Sequence, residues 1–209
     1  MAVSTRMGEF GIYYGNDYNS SNYLNYTQMK INAVYIYKSL KDKGWTLNAI
    51  AGMLGNMQVE STLNPGIWQS NNVGNMSGGY GLVQWTPASK YINWLLFGED
   101  PSEMDNNISR IIYELQNGLQ WISTTTYPMS FAEFSTSTQR PEYLAAAFVY
   151  NYERPASPNV NLRQKYALNW FLFLGGMLPD YKSSKHKFPW VIYANILRKR
   201  NWKNNKNML

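Results

Sequence analysis

The chain has 209 residues, a formal net charge of +6 and a 16% share of aromatic residues, with no cysteine and a single histidine. The lack of cysteine excludes disulfides, thiolate metal sites and cysteine nucleophiles. Because the one histidine, His186, lies in a basic segment near the C-terminus, a Ser-His-Asp triad in the core is excluded and a His-rich zinc site is disfavoured. We therefore expect no metal and no cofactor.

The N-terminal region shows neither a targeting signal nor periodic structure. It lacks the basic, apolar and small-residue regions of a signal peptide, and no apolar run in the chain approaches the roughly 18 to 20 residues that a membrane-spanning helix needs. We expect no signal peptide and no membrane span. Residues 1–25 are rich in Gly, Asn, Ser and Tyr, which predicts an irregular N-terminal arm.

Helical periodicity starts at Thr27, with apolar residues at three- and four-residue spacing up to a stop at Gly44. Thr46 is predicted to be the N-cap of a second helix, whose apolar stripe runs as far as Met57. Glu60 follows at the edge of that stripe. The second helix is therefore predicted to end close to a carboxylate.

A segment punctuated by proline and glycine comes next. Asn64-Pro65-Gly66 ends the helix, because proline lacks an amide donor and disfavours helical geometry in the residue before it. Between Ile67 and Trp85, short apolar pieces alternate with Gly and Asn residues. This pattern favours a small irregular β-hairpin region over a helix.

Apolar residues at helical spacing predict five further helices. They begin at Thr86-Pro87 (ending near Phe97), at Ser102, at Ser130 with a capping box, at Arg140-Pro141 (running to Tyr152) and at about Asn159 (ending at Gly175). Residues 26–178 are therefore expected to form one domain of the α+β class, mostly α, followed by a basic tail over residues 179–209.

Glu60 is the only acidic residue between Gly52 and Trp85. Cleavage of a glycosidic bond needs a proton donor at the leaving oxygen and a group that stabilises the positive charge developing on the sugar ring. A carboxyl group can donate near neutral pH when apolar surroundings favour its protonated form, and Met53 and Met57 provide such neighbours. An ordinary surface charge at a helix end is the alternative interpretation.

The string GNMQVESTLNPGIWQ, followed by GNMSGGYGLVQWTPASKYINW, resembles the phage tail lysozyme family, within the lysozyme and lytic-transglycosylase superfamily. In that family the domain belongs to the cell-wall-degrading protein at the tail tip of small podoviruses of Gram-positive bacteria. The resemblance extends more thinly from Asn32 through Tyr152-Glu153-Arg154-Pro155 to about Trp170. It implies a lysozyme-like fold, in which a helical lobe and a small β-hairpin region flank a cleft.

The resemblance also implies roles for individual residues. Glu60 matches the family's general acid, and Gln84 matches a glutamine that lines the cleft and holds an N-acetyl or hydroxyl group of the sugar. Further substrate-binding candidates are Ser61, which follows the acid, and the possible sugar platforms Trp68, Tyr80 and Trp85, for which core packing is the alternative. The stretch AFVYNY resembles a transglycosylase motif and makes Tyr150 or Tyr152 the tyrosine that approaches the acid.

No second carboxylate accompanies Glu60 in the sequence. The loop QSNNVGN, residues 69–75, has none where related tail lysozymes carry acidic residues, so a second acid would require the fold to bring in Glu99, Asp100 or Glu153. We expect a one-acid scheme. Capture of the cleaved sugar by water would make the protein a muramidase, a glycoside hydrolase acting between N-acetylmuramic acid and N-acetylglucosamine. Capture by the sugar's own 6-hydroxyl would make it a lytic transglycosylase, and an inactive wall-binding or tail structural module is the third alternative.

The basic charge belongs to the tail, since residues 181–209 contain eight Lys or Arg and no Asp or Glu. A solvated charge run, a contact with anionic wall polymers and non-specific contact with nucleic acid or a membrane surface all fit this composition. The resemblance implies bacterial peptidoglycan as the substrate and other phage tail proteins as partners, without specific nucleic-acid binding. It places the protein in the virion tail or outside the cell, acting on the host wall. Family relatives join this domain to a peptidase, and we expect this chain to cut glycan alone.

Overall fold

Seven α-helices and a two-stranded antiparallel sheet make up residues 3–177, the part of the chain that the computed structural model describes. The strands are β1 (Ser4–Gly8) and β2 (Gly11–Gly15), and the helices are α1 (Tyr26–Asp42), α2 (Leu47–Ser61), α3 (Ser89–Ile92), α4 (Met104–Gln116), α5 (Phe131–Thr136), α6 (Pro141–Phe148) and α7 (Val160–Gly175). A mostly helical α+β arrangement is thereby confirmed. Residues 1–174 form one compact unit and a second begins at Gly175. The predicted basic tail lies outside the described residues.

Helix α2 is the central helix, because it contacts α1, α5 and α6 and is buried along most of its length. The predicted N-cap is confirmed: the Thr46 hydroxyl accepts a hydrogen bond from the Ala49 amide at 3.1 Å. The helix ends where Thr62 adopts a left-handed conformation, with φ of 52°. Glu60 therefore lies in the last turn of a helix whose middle, residues 49–57, is buried, and the side chains just before the helix end are partly exposed.

Two glycines let other helices approach α2 closely. A Cβ added at Gly52 would lie 2.8 Å from the Leu144 Cβ of α6. A Cβ added at Gly55 would lie 2.7 Å from the Ala167 amide nitrogen of α7 and would also meet the Arg163 carbonyl oxygen. Since the obstructing atoms at Gly55 belong to the backbone, α7 would have to move to admit a side chain.

We expect Gly55→Ala to destabilise the protein, by up to about 2 kcal/mol. Alanine favours a helix over glycine by about 1 kcal/mol, but overpacking against backbone costs more, typically about 1–3 kcal/mol or above. Urea unfolding would measure the change. Ser109→Ala, an exposed position in α4, is the control and should stay within about 0.5 kcal/mol. A stable Gly55→Ala would show that α7 is not held closely against α2.

The sheet lies where the sequence predicts an irregular arm, and that prediction is wrong for residues 4–15. The two strands pair in register from Ser4–Gly15 to Gly8–Gly11, and Gly11 closes the turn with φ of +119°. The hairpin is fixed to α1 by Asn32, whose side chain accepts from the Tyr14 amide and donates to the Tyr14 carbonyl, both at 2.7 Å. The hairpin could not be predicted from the sequence, because Asn32 and Tyr14 are distant in the chain and strands of five residues show little periodicity.

The predicted β-hairpin region between Ile67 and Trp85 is paired only at isolated points. Antiparallel bridges join Tyr80 to Trp68 and to Trp85, and a short 3₁₀ turn covers Gln69–Asn71. Several residues of this segment have positive φ, namely Ser70, Asn71, Gly74, Gly81 and Gln84. Because extended strands require negative φ, the segment forms a compact irregular loop instead of a continuous hairpin.

Two predicted helices differ in extent from the observed ones. The helix expected from Thr86-Pro87 to Phe97 is only α3, Ser89–Ile92, because the Ala88 amide donates to the Gly78 carbonyl at 2.7 Å and ties the start of the segment to the irregular loop. Helix α6 ends at Phe148 and continues as a π-helical turn, Val149–Glu153. Within residues 3–177, the helices are too short or too polar to span a bilayer.

Candidate active-site cleft

A cleft of about 450 Å³ opens at the C-terminal end of α2. Its walls come from four parts of the chain: the end of α2, the irregular loop, the residues after the π-helical turn, and the segment before α1. The lining residues are Tyr23, Glu60, Ile67, Trp68, Gln69, Ser70, Gln84, Thr86, Glu153, Arg154 and Pro155. The cleft is therefore mainly polar, with carboxyl, amide and guanidinium groups beside aromatic rings.

Glu60 is partly exposed on the wall of this cleft, with 19% of its side-chain surface accessible. One carboxylate oxygen, Oε1, accepts a hydrogen bond from Arg163 Nη2 at 2.6 Å. The pairing is charge-assisted and short, as expected for a guanidinium and a carboxylate. Glu60 thus faces the cleft on one side and a fixed positive charge on the other.

Arg163 is a residue of the site that sequence reasoning missed. Its side chain is only 3% exposed, and its other donors are also used: Nη1 donates to Asn56 Oδ1 at 3.1 Å and Nε to the Pro158 carbonyl at 2.7 Å. The signal in the sequence was an arginine in line with Ala167 and Trp170 on the buried face of α7. A charge on an apolar stripe indicates a buried partner, because an unpaired buried charge is costly.

The fold brings Glu153 to the cleft, and not Glu99 or Asp100. Asp100 pairs with Arg6 at 2.8 Å, and Glu99 Oε2 accepts from the Leu96 amide at 2.8 Å, so both stabilise the loop before α4. Glu153 ends the π-helical turn. It is half-buried overall, and its Oε1 atom is fully enclosed without a hydrogen-bond partner among the described residues.

The surroundings of Glu153 favour its protonated form. Burial raises the pKa of this carboxyl group well above its usual range, and the negative charge of Glu60 raises it further, with partial compensation from Arg163. Glu153 forms no ion pair with its neighbour Arg154. Arg154 has left-handed backbone geometry and donates instead to the carbonyl oxygens of Gln120, at 2.6 Å, and Asn151.

Gln84 also lines the cleft, in a left-handed conformation with φ of 49°. Its Nε2 atom donates to the carbonyl oxygens of Ile67, at 3.2 Å, and Gly81, at 3.0 Å. These two hydrogen bonds fix the plane of the Gln84 amide and use its NH₂ group as donor. Its Oε1 atom remains as a hydrogen-bond acceptor.

The comparison with known proteins agrees with this geometry. The family model for phage tail lysozymes matches residues 31–174, which is more than half of the chain. The chain belongs to the phage tail lysozyme family. It is also 49% identical over 160 residues to morphogenesis protein 1 of Bacillus phage B103. That match covers 76% of this chain but 43% of the relative, so the chain spans less than half of the relative's length.

The chain belongs to the tail lysozyme family, but some of the residue roles that the resemblance implies do not fit the structure. Trp68, Tyr80 and Trp85 are at most 3% exposed, and their rings pack in the interior: Trp68 meets Tyr80 edge to face with ring centres 4.6 Å apart, and Trp85 stacks on Tyr91 at 4.5 Å. Rings this deeply buried offer no surface to a sugar. Their assignment as sugar platforms is therefore corrected to core packing.

Ser61 has a structural position. It is fully buried, and its hydroxyl donates to the carbonyl oxygens of Met57, at 2.9 Å, and Leu82, at 2.8 Å. The second bond joins the end of α2 to the irregular loop. Its expected contact with substrate is therefore wrong, and Ser61 instead holds together the two segments that carry Glu60 and Gln84.

Neither predicted tyrosine is turned toward Glu60. Tyr152 is 1% exposed and its hydroxyl donates to Glu114, a buried carboxylate that also accepts from Trp85 Nε1 at 3.0 Å. Burial and the charge of Glu114 raise the pKa of Tyr152. Tyr150 is 40% exposed but stacks on Tyr127, at 5.7 Å, away from the residues lining the cleft.

The exposed aromatic ring that does line the cleft is Tyr23, at 57% exposure. It lies in the segment predicted to be an irregular arm, where composition carries no information about which tyrosine faces a site. Among residues 3–177, no group of three or more His, Cys, Asp or Glu side chains is arranged to hold a metal ion.

Proposed function

We propose that this chain cleaves the glycan strand of bacterial peptidoglycan between N-acetylmuramic acid and N-acetylglucosamine, with Glu60 as the general acid. The observation that carries the proposal is the position of Glu60, a partly exposed carboxyl group on the wall of a polar cleft, in a chain of the phage tail lysozyme family. A glycosidase needs one carboxyl group that can reach the leaving oxygen, and Glu60 meets that requirement.

The polar lining of the cleft supports a carbohydrate substrate. Gln84 presents an amide acceptor whose orientation is fixed by two backbone contacts, and Tyr23 presents an exposed ring. Sugars are bound by such groups, because hydroxyls and N-acetyl groups need hydrogen bonds and the sugar face is apolar. We therefore assign Gln84 and Tyr23 to substrate binding in place of the buried aromatic residues.

The proposed biological setting is a phage tail or virion-associated enzyme that opens the host cell wall from outside. The relative that carries the name of a phage morphogenesis protein supports this setting. Peptidoglycan and other phage tail proteins are the proposed partners. Anionic wall polymers are a further partner for the basic tail, residues 179–209.

Digestion of purified Gram-positive cell walls, with mass analysis of the released glycan ends, tests the proposal. We expect products with a reducing-end N-acetylmuramic acid, formed when water captures the cleaved sugar. Anhydro ends would instead identify a lytic transglycosylase acting through the same carboxyl group. Wall binding without release of glycan would contradict the enzymatic proposal and identify a binding module.

A further inference from the structure

Of the two carboxyl groups that line the cleft, Glu60 is paired with Arg163, and Glu153 has no ion pair among the described residues. Two further charged groups act on the pKa of Glu153: Glu114, from α4, raises it, and Arg154 lowers it, although the Arg154 guanidinium donates to backbone carbonyls. A second negative charge beside Glu60, on a carboxyl group without an ion pair, is unfavourable, so one proton is retained.

The two carboxyl groups differ in where that proton is best held. One oxygen of Glu60 accepts a short, charge-assisted hydrogen bond from a guanidinium. The enclosed Oε1 atom of Glu153 accepts no hydrogen bond in the described residues, and an enclosed oxygen without donors disfavours a negative charge. In the free protein, the proton therefore belongs on Glu153.

We propose that Glu153 is a positioning residue for the catalytic proton: Glu60 and Glu153 hold one proton between them, stored on Glu153 in the open cleft and passed to Glu60 when glycan covers the site. This inference rests on the proposed function of Glu60 as general acid. It adds a second functional carboxyl group, which is absent from the sequence around Glu60 and is supplied by the π-helical turn after α6.

The proposed transfer conserves charge and atoms. As the proton moves from Glu153 to Glu60, the negative charge moves to Glu153, and both positions lie within the field of Arg163. Glu60 then gives the proton to the glycosidic oxygen, which leaves with the electron pair of its bond to the anomeric carbon. The water that captures this carbon supplies its hydroxyl group to the sugar and returns its second proton to the carboxyl pair.

Glu114 does not fill the same role, although it is more deeply buried than Glu153. Its oxygens accept hydrogen bonds from Arg110, at 2.9 Å, Trp85, at 3.0 Å, and Tyr152. Unlike Glu153 Oε1, these oxygens are supplied with donors, one of them a guanidinium. Moreover, Glu114 is not among the residues that line the cleft.

A stability measurement tests the stored proton without any enzymatic activity. Because the folded state raises the pKa of Glu153, it binds more protons than the unfolded chain, so stability falls as pH rises from about 4.3, the ordinary glutamate value, through the raised pKa. Because glutamine does not titrate, Glu153→Gln removes this loss of stability with rising pH. We expect the Tm of Glu153→Gln, relative to the parent, to increase steadily from about pH 5 to about pH 8.

Glu9→Gln, which removes an exposed carboxyl group from the turn between β1 and β2, is the matched control and should show no such trend. A difference in Tm between Glu153→Gln and the parent that is independent of pH would overturn the proposal. That result would contradict the stored proton even if the parent protein cleaves walls normally.

The pH profile of wall lysis tests the transfer to Glu60. Glu153→Gln removes the group that stores the proton, so the high-pH limb of the rate profile should move to lower pH. We expect Glu153→Gln to lose at least about 10-fold in rate near pH 7 and less than about 3-fold near pH 5. An equal loss at both pH values would indicate a structural role, and no loss would exclude a role in proton transfer; either overturns the proposal. If the parent protein releases no glycan at any pH, the proposed function is wrong. The pH dependence of the Tm difference then remains as the test of the proton on Glu153.

Discussion

Replacing Glu60 by glutamine should reduce the rate of wall lysis by at least about 100-fold, because general acid catalysis contributes roughly 10²–10⁴-fold to such reactions. Glutamine keeps the size of the side chain and an oxygen that can accept the hydrogen bond from Arg163. It cannot give a proton to the leaving oxygen. The fold should therefore persist, and the loss should appear in the rate of glycan release measured on purified walls.

Binding to walls provides the internal check on this variant. If the chain is an enzyme with Glu60 as its acid, Glu60→Gln should still sediment with wall fragments while lysis disappears. Glu9→Gln, which lies outside the cleft, should retain parental lysis. A rate for Glu60→Gln within about 3-fold of the parent would contradict the assignment of the general acid.

Removal of the buried Arg163 side chain, which pairs with Glu60, should cause a large loss of stability. Arg163→Ala leaves Glu60, the Asn56 side chain and the Pro158 carbonyl without their common donor. Breaking a buried ion pair by deleting one partner costs about 3–5 kcal/mol. At roughly 2–4 °C per kcal/mol for a protein of this size, Tm should fall by about 6–20 °C.

Arg140→Ala is the matched control for this loss. Arg140 also forms an ion pair with a glutamate, Glu142, at 2.7 Å, but its side chain is 82% exposed. Because exposed ion pairs contribute little to stability, the Tm should stay close to that of the parent. Equal effects of the two substitutions would show that burial of Arg163 does not determine its contribution.

Local features of the site could be read from the sequence because they depend on residues close together in the chain. The Thr46 cap and the apolar stripe that follows predict α2 and leave Glu60 near its end, and the structure confirms both. The capping box at Ser130 is likewise confirmed. In each case the hydrogen bonds join residues within one or two helical turns, where spacing determines contact.

The partners of Glu60 could not be predicted in this way. Arg163 lies 103 positions away in sequence, and Glu153 reaches the cleft only because α6 continues as a π-helical turn. The aromatic residues could not be assigned from the sequence either. Trp68, Tyr80 and Trp85 are of residue types that bind sugars, but they lie in the core. Residue type alone does not show whether an aromatic ring is buried or faces a sugar, because the same rings occur in both settings.

The sequence by itself determined the helical class of the domain, the position of Glu60 at a helix end and membership of the tail lysozyme family, since periodicity, caps and a contiguous motif are all local. Only the tertiary structure decided which second carboxyl group lines the cleft with Glu60, which cation pairs with Glu60, and which aromatic rings remain accessible. Those outcomes depend on contacts between segments more than 20 residues apart. The close approach of α7 to α2 at Gly55, beside Arg163, is one such contact, and no short stretch of sequence expresses it.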